Sequence, residues 1–125
     1  MGDLSEHFSK WEFACRCGCG LDNVDPSLIE MLEDLRADNG GDNGGKPLQI
    51  KSGCRCFRHN LLCGGNPQSE HMDGQAADIA IGGSRARMNL VVSAMNVGFN
   101  RIGVAKTFIH VDNDPFKPQH VMWLY

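Results

Sequence analysis

The sequence has no long hydrophobic run, no excess of positive charge and no internal repeat. A membrane-spanning helix needs about 20 consecutive apolar residues, and because no stretch of the chain offers them we expect no membrane span. The formal net charge of −3 argues against a nucleic-acid-binding protein, since such a protein normally carries a basic surface. With 125 residues the chain can bury a sizeable core, and we expect a single domain over residues 1–125.

The first residues also lack the basic and apolar run of a signal peptide. We therefore expect synthesis in the cytoplasm, where disulfides are rare. The expectation bears on six cysteines in two groups: Cys15, Cys17 and Cys19, then Cys54, Cys56 and Cys63. They can be free thiols packed as small apolar groups, or, because their number is even, disulfides. Alternatively, four of them can hold a second zinc ion that joins the N-terminal segment to the loop of Arg55.

The segment 69–78 carries an imidazole, His71, and a carboxylate, Asp78, seven positions apart. On one continuous helix this separation spans ~10 Å, which is too far for two short side chains to bind one metal ion. We therefore predict a bend at Gly74, where glycine allows a tight backbone turn. After the bend, isoleucines alternate with small residues. This alternation predicts a strand with its isoleucine face in the core and Asp78 on the opposite face.

A third ligand is available in the segment 108–112, where two β-branched residues alternate with His110 and Asp112. The alternation predicts a strand that projects His110 and Asp112 to the same side. Two imidazoles and one carboxylate around an open fourth position form a catalytic zinc site rather than a closed structural one. The candidate ligands of one catalytic zinc ion are therefore His71, Asp78 and His110.

Three motifs follow one another in the order of a known superfamily. They are Ser-Gly-x-Arg from Ser52 with Asn60 downstream, Ser-x-His-x-x-Gly-x-Ala-x-Asp from Ser69, and His-x-Asp from His110. In this order they resemble the zinc D-Ala-D-Ala carboxypeptidase superfamily, whose relatives include phage endolysins and the zinc fold of hedgehog signalling domains. The opening Phe-Ser…Glu-Phe from Phe8, followed by Cys-Arg-Cys-Gly-Cys-Gly, is typical of short phage and prophage members. The resemblance covers nearly the whole chain.

The resemblance implies a zinc-dependent peptidase acting on peptidoglycan stem peptides, as a D-Ala-D-Ala carboxypeptidase or an L-Ala-D-Glu endopeptidase. Arg55 would stabilise the oxyanion or bind a substrate carboxylate, which suits a guanidinium, and Ser69 would contact the substrate. We expect a phage lysin that is made in the host cytoplasm and acts at the cell wall, or is carried in a phage particle. The alternative is a non-catalytic zinc-binding structural or binding module of a phage particle on the same fold.

The chain departs from the resemblance where an acid/base group is expected. In several branches an acid or a second histidine lies just before the last zinc histidine, but here those positions hold Thr107, Phe108 and Ile109. We therefore predict Asp112 as the general acid/base, because on a strand it shares a face with His110. Glu70 and Asp73 are the second candidates. The alternative role for Asp112 is to orient His110 or Arg55.

Two expectations concern side chains outside these motifs. Many short relatives carry an arginine two residues after the His-Val-Asp motif, whereas this chain has Asp114, so an acid replaces a cationic substrate contact. The remaining histidines are interpreted as surface or packing residues: His7, His59 and His120.

The order of the predicted elements indicates an α+β fold, with a small, mainly antiparallel sheet and helices packed on one face; the resemblance makes it hedgehog/DD-peptidase-like. Asp25-Pro26 predicts the start of an amphipathic helix that Asn39-Gly40-Gly41 ends, and Asp38–Gly45 is expected to be a mobile loop. Ser84 is predicted to cap a second long helix, whose apolar face consists of Met88, Val91, Val92 and Met95. Shorter helical turns are expected near residues 9–12 and 56–63, and strands at 48–51, 76–81, 101–104, 108–112 and 121–125.

Overall fold

The computed structural model describes residues 2–39, 46–66 and 68–125 of the chain. Within these ranges it has four α-helices, one 3₁₀ helix and five strands, which confirms the predicted α+β class. The helices are α1 (Lys10–Phe13), α2 (Pro26–Asn39), α3 (Phe57–Leu62), the 3₁₀ helix Glu70–Asp73 and α4 (Ser84–Asn96). The strands are β1 (Ile50–Ser52), β2 (Ala76–Ala80), β3 (Arg101–Val104), β4 (Phe108–Asp112) and β5 (Val121–Leu124).

The five strands form one sheet in the order β1-β2-β4-β3-β5. The first three pairings are antiparallel, and β5 lies parallel to β3 at the edge. Because side chains alternate along a strand, each strand contributes to two different faces. Ile79, Ile109 and Val111 lie on the face that packs in the hydrophobic core, and Asp78 and His110 lie on the other. The sheet therefore separates the hydrophobic core from the face that carries Asp78 and His110.

Helix α2 supplies much of the core, as its apolar periodicity predicts. The backbone N–H of Ser27 donates to Asp25 Oδ1 at 2.9 Å, so the aspartate satisfies an open N–H of the first turn. The residues that α2 buries are Leu28, Ile29, Leu32 and Leu35. The helix extends to Asn39, while the predicted Gly40-Gly41 stop and most of the predicted mobile loop lie outside the described residues. No helix in the described part of the chain is long and apolar enough to cross a membrane.

The predicted apolar face of α4 is wrong at three of its four residues, because only Val91 of the four packs against the core. Met88, Val92 and Met95 are exposed, by 65%, 42% and 59%, whereas the residues that α4 buries are Leu90, Ser93 and Ala94. Small residues on the inner side let the helix pack closely. The large apolar residues lie on the outer side, so the apolar periodicity of the sequence indicated the wrong face. The predicted cap is also displaced by one residue, since Gly83 occupies the N-cap position and Ser84 begins the helix. Strand β1 likewise begins at Ile50, two residues later than predicted.

The chain between β1 and β2 positions the functional loop. The backbone N–H of Cys54 donates to the Phe13 carbonyl at 2.7 Å, and that of Arg55 donates to the His71 carbonyl at 2.9 Å. The first bond fixes the loop to α1, whose Phe13 is fully buried. The second brings Arg55 beside the 3₁₀ helix that carries His71.

Candidate metal centre and its cleft

A tight turn presents His71. The hydroxyl of Ser69 accepts a hydrogen bond from the His71 backbone N–H at 3.2 Å, and Gly74 ends the 3₁₀ helix with φ 69°. This left-handed conformation favours glycine, and a Cβ at Gly74 would collide with the Asn23 carbonyl. The bend predicted at Gly74 is confirmed. The bend turns the chain from His71 directly into β2.

Sheet register brings the second and third predicted ligands together. Asp78 on β2 lies directly opposite His110 on β4. Asp78 Oδ1 is 3.1 Å from His71 Nε2 and 3.0 Å from His110 Nδ1. All three side chains are buried, and one ligand atom from each lies within 4.8 Å of the others. The structure thus places His71, Asp78 and His110 around a single point.

In each histidine, the ring nitrogen that does not face Asp78 contacts another group and fixes the orientation of the ring. His71 Nδ1 donates to the Gly53 carbonyl at 2.6 Å, so that Nε2 faces Asp78. His110 is oriented the opposite way: Nδ1 faces Asp78, and Nε2 lies 2.8 Å from Asp112 Oδ2. Such outer contacts are what fix the ring orientation of histidines that bind metals.

The charges at this point are strongly coupled. Burial raises the pKa of Asp78, but hydrogen bonds from His110 and His71 lower it more, so that the pKa lies well below its ordinary value. Burial lowers the pKa of His110, but its hydrogen bonds to Asp112 and Asp78 raise the pKa to about 9. Without a metal ion, a proton on His110 therefore offsets part of the negative charge of the two carboxylates. A divalent cation would take over this role.

Asp112 is the most enclosed member of the group, with a fully buried side chain. Its Oδ2 contacts His110 Nε2, on the side of the ring away from Asp78. Its Oδ1 accepts from Arg101 Nε at 2.7 Å and from the Asp114 backbone N–H at 3.2 Å. This position favours the second role that the sequence left open for Asp112, that of orienting His110.

Arg55 contacts the same centre from the loop. Its NH2 group donates to Asp78 Oδ2 at 3.3 Å, and the rest of the guanidinium donates to Ser52 Oγ and to Asn60 Oδ1, each at 3.3 Å. The side chain is 15% exposed and lines the cleft. Three residues of the Ser-Gly-x-Arg…Asn motif therefore form one hydrogen-bonded unit beside the candidate ligands.

Sequence reasoning missed a cationic pair that neutralises the carboxylates around His110. Arg101 NH2 donates to Glu70 Oε1 at 3.0 Å, while its Nε holds Asp112. Lys117 Nζ also lies 2.7 Å from Glu70 Oε1. Arg101 pairs in register with Asp112, so knowledge of the strand order would have revealed it. Lys117 lies in a loop with no sequence signal.

The other predicted positions lie away from the centre. Asp114 is buried and its Oδ1 accepts from the Phe116 backbone N–H at 3.0 Å, outside the cleft that Arg55 lines. His7 binds Glu33 on α2, and His59 lies on α3. His120 is exposed with φ 59°. Asp73, at the end of the 3₁₀ helix, is also exposed.

A cleft of about 700 Å³ opens above the three candidate ligands. Loop residues, among them Ser69, line one side, and aromatic rings line the other: Phe108, Trp123 and Tyr125. The Trp123 ring lies 5.3 Å from the His110 ring and 5.2 Å from the Arg101 guanidinium. Of the carboxylates in the described residues, Glu70 and Asp78 line this cleft.

The donor set fits a catalytic zinc ion. One carboxylate and two imidazoles are the ligands of such sites, and the cleft leaves the remaining direction open. A second group of possible ligands, Glu70, His110 and Asp112, also lies within 4.8 Å. Two cations, Arg101 and Lys117, already pair with the carboxylates of that group, whereas the first group has Arg55 alone, so a further cation is favoured at the first group.

Comparison with known families decides the identity. A family model described as Peptidase M15 matches residues 6–112. The chain belongs to the peptidase M15 family. The match confirms the resemblance to the zinc D-Ala-D-Ala carboxypeptidase superfamily, and M15 peptidases are zinc-dependent. The matched range of the M15 domain contains all three candidate ligands and ends at Asp112. No curated protein matches the chain.

Proposed function

We propose that this M15 domain is a zinc-dependent peptidase that hydrolyses peptidoglycan stem peptides. The observation that carries the proposal is the convergence of His71 Nε2, Asp78 Oδ1 and His110 Nδ1 at the floor of an open cleft. These three side chains would hold the zinc ion. When bound there, zinc would polarise the scissile carbonyl and lower the pKa of an attacking water.

Arg55 is proposed to bind negative charge on the substrate. Its guanidinium is fixed by Ser52 and Asn60 and still lines the cleft, so it is oriented before substrate arrives. A guanidinium held in this way can stabilise a developing oxyanion or bind the terminal carboxylate of a stem peptide. Binding of a terminal carboxylate would suit a carboxypeptidase. Stabilisation of an oxyanion would suit an endopeptidase equally well. Ser69, which also lines the cleft, is proposed to contact the peptide.

Glu70 is proposed as the residue that transfers the proton, in place of Asp112. Burial raises the pKa of Glu70, but the hydrogen bond and charge of Lys117 lower it by more, so the pKa lies below its ordinary value and Glu70 is ionised at neutral pH. An ionised carboxylate in the cleft can accept a proton from water and pass it to the leaving amine. Asp112 has both oxygens occupied and does not line the cleft.

We further propose that the protein acts as a phage lysin, free or carried in a phage particle. The Phe-Ser…Glu-Phe opening and the cysteine-rich segment after it support this origin. The cleft has a volume of about 700 Å³, and its wall of Phe108, Trp123 and Tyr125 offers apolar faces to alanine methyl groups of a stem peptide.

Digestion of purified peptidoglycan tests the proposed activity. The wild-type protein should release free amines and shortened muropeptides, and mass spectrometry of the products identifies the bond that is cut. A chelator or the His71→Ala variant should abolish release, while His120→Ala, a histidine variant outside the cleft, should retain it. Full zinc occupancy without released amine would instead indicate a non-catalytic zinc-binding module.

A further inference from the structure

Four of the six cysteines converge at one place, away from the candidate metal centre. They are Cys15, Cys17, Cys19 and Cys56, called here the cysteine cluster, and their sulfur atoms lie within 4.8 Å of one another. We propose that the cysteine cluster binds a structural zinc ion. The site is independent of the proposed peptidase activity, because it shares no residue with the cleft.

The separations of the sulfur atoms match the proposed ion. Zinc–sulfur bonds of about 2.3 Å in a tetrahedron place the sulfurs roughly 3.8 Å apart. Cys15 Sγ lies 3.4 Å from Cys17 Sγ, and Cys17 Sγ lies 3.7 Å from Cys56 Sγ. A disulfide instead requires sulfur atoms about 2.05 Å apart. Four thiolates close the tetrahedron and leave no open position, which is the property of a structural zinc site.

The backbone around the cluster is arranged to surround a cation. The Cys15 backbone N–H donates to the Leu21 carbonyl at 2.8 Å, which closes the segment 15–21 into a loop. Within it, Gly18 adopts φ 86°, and the Gly18 N–H donates to the Cys15 carbonyl at 3.2 Å. A Cβ at Gly18 would meet no atom within 4 Å, so the glycine is required by the turn and not by lack of space.

Backbone N–H groups also point at the sulfurs. The Cys56 N–H donates to Cys15 Sγ at 3.4 Å, and the His59 N–H donates to Cys56 Sγ at 3.3 Å. Four thiolates around one divalent ion leave a net charge of −2, and donors to sulfur offset part of it. Two of the four sulfurs therefore receive this stabilisation before any metal is bound.

The other two cysteines show that this grouping is selective. Cys54 is 1% exposed and belongs to the hydrophobic core. Cys63 is exposed, and its sulfur lies 3.4 Å from His59 Nε2. Neither belongs to the cluster, although both fall in the same sequence group as Cys56. The sequence left open which four cysteines could act together, and the fold selects them.

A zinc ion in the cysteine cluster would hold the loop that presents Arg55. Cys56 follows Arg55 directly and forms the N-cap of α3, whereas the other three ligands lie about 40 positions earlier. A bound ion would therefore join the N-terminal segment to the Arg55 loop by a bridge of four bonds. This bridge adds to the backbone bond between Cys54 and Phe13.

Cobalt substitution and metal counting test the site. The wild-type protein should bind two zinc ions per chain, and its cobalt form should show an intense thiolate-to-cobalt charge-transfer band. Cys17→Ser and Cys19→Ser should each lower the metal content by one ion and remove this band. His71→Ala should also lose one ion but keep the band. Cys63→Ser, a matched cysteine variant outside the cluster, should keep both ions and the band.

Measurements on the wild-type protein test the proposal even if the cysteine variants do not fold. X-ray absorption at the zinc edge should contain a sulfur shell at about 2.3 Å in wild-type protein. Absence of sulfur from that shell, or of the thiolate band from wild-type cobalt protein, would overturn the proposal. So would a disulfide between cluster cysteines found by thiol counting in denaturant. Neither measurement depends on peptidase activity, so loss of that activity alone would not overturn the proposal.

Discussion

Two carboxylates contact the His110 ring from opposite sides. Asp78 meets Nδ1 at 3.0 Å, and Asp112 meets Nε2 at 2.8 Å. A carboxylate that accepts a hydrogen bond from one ring nitrogen makes the other a better electron donor and fixes its direction. Arg101, which lines the cleft, holds that carboxylate in turn, so the orientation of one candidate ligand depends on the salt bridge between Arg101 and Asp112.

The first prediction separates positioning from proton transfer. Asp112→Asn should weaken zinc binding roughly 10–100-fold, since it removes the charge behind His110, and excess zinc should restore much of the turnover. Glu70→Gln should retain zinc and lower turnover roughly 10²–10⁴-fold. Chelator competition measures the affinity, and muropeptide release measures the turnover. Zinc retained in Asp112→Asn together with lost turnover would return the acid/base role to Asp112.

Sequence periodicity predicted part of this arrangement. Residues two apart on a strand share a face, which was sufficient to place His110 and Asp112 together. The choice of ring nitrogen was not predictable, because it depends on side-chain rotamers and on Arg101. Arg101 reaches Asp112 only because β3 lies next to β4, and no local pattern specifies that neighbour.

The N-terminal segment is attached to α2 through one side chain of the helix. Glu33 accepts hydrogen bonds from Ser5 Oγ at 2.5 Å, from the His7 backbone N–H at 2.8 Å and from His7 Nδ1 at 2.6 Å. Burial raises the pKa of Glu33, but these hydrogen bonds lower it more, so the folded pKa lies below the ordinary value of 4.5. The carboxylate therefore contributes stability above that value, and the contribution is lost as the pH falls through the folded pKa.

The second prediction uses this dependence on pH. Glu33→Gln should lower the free energy of unfolding by about 1 kcal/mol at neutral pH, the usual net value of such hydrogen bonds. The difference from wild type should shrink as the pH falls from 4.5 through the lower folded pKa, because the carboxyl protonates first in the unfolded chain and then in the folded protein. Urea unfolding at several pH values measures it. Glu30→Gln, on the exposed side of the same helix, should show little change at any pH. An equal loss at acid and neutral pH for Glu33→Gln would contradict the linkage.

Strand β5 and the residue after it, Tyr125, divide their side chains between the cleft and the solvent. Trp123 and Tyr125 line the cleft, and the Tyr125 ring lies 5.2 Å from the Phe108 ring. Leu124, between them, is not among the residues that line the cleft and is 82% exposed. The edge position of β5, parallel to β3, puts this aromatic wall next to His110.

The third prediction tests the aromatic wall. Tyr125→Ala should raise KM roughly 2–10-fold with little change in kcat, because it removes a surface that binds substrate and transition state alike. Leu124→Ala should leave both constants unchanged. Steady-state kinetics on a soluble stem peptide provides the measurement. A fall in kcat without a change in KM would show that Tyr125 acts on the reaction itself and not as a binding surface.

Helix α4 shows where element-level prediction fails. Its existence followed from length, caps and apolar content, but its inner face did not, since Ser93 and Ala94 pack against the fold while Met88 is exposed. Periodicity gives most weight to large apolar residues, whereas close helix packing selects small ones. The strand faces of β2 and β4 were predictable because burial on one side and polar ligands on the other leave a single consistent register.

At the scale of the whole molecule, the core and the two candidate metal centres lie in different places. Among the residues that the structure describes, seventeen buried ones form one hydrophobic cluster that includes the α2 leucines and the apolar face of the sheet. None of the three candidate ligands in the cleft belongs to that cluster, and the cysteine cluster lies at the surface apart from Cys15 and the half-buried Cys56. Small metal-dependent domains such as zinc fingers unfold without their ion, whereas a chain with such a core is expected to keep its fold.

The last prediction follows from this separation. Chelation should leave the helix and strand content largely intact, because the core does not require an ion. It should still lower the thermal midpoint, since an ion that binds only the folded state adds about 4 kcal/mol when present at a thousand times its Kd. At this chain length each kcal/mol corresponds to roughly 3–5 °C.

Variants show how much of that loss belongs to each of the two proposed centres. Cys17→Ser should lower the midpoint more than His71→Ala, because the cysteine cluster joins segments distant in sequence, while the cleft ligands are already held by β2, β4 and Gly53. Circular dichroism melts with matched metal content give the comparison. A fully unfolded spectrum after chelation would show that the ions, and not the core, determine the fold.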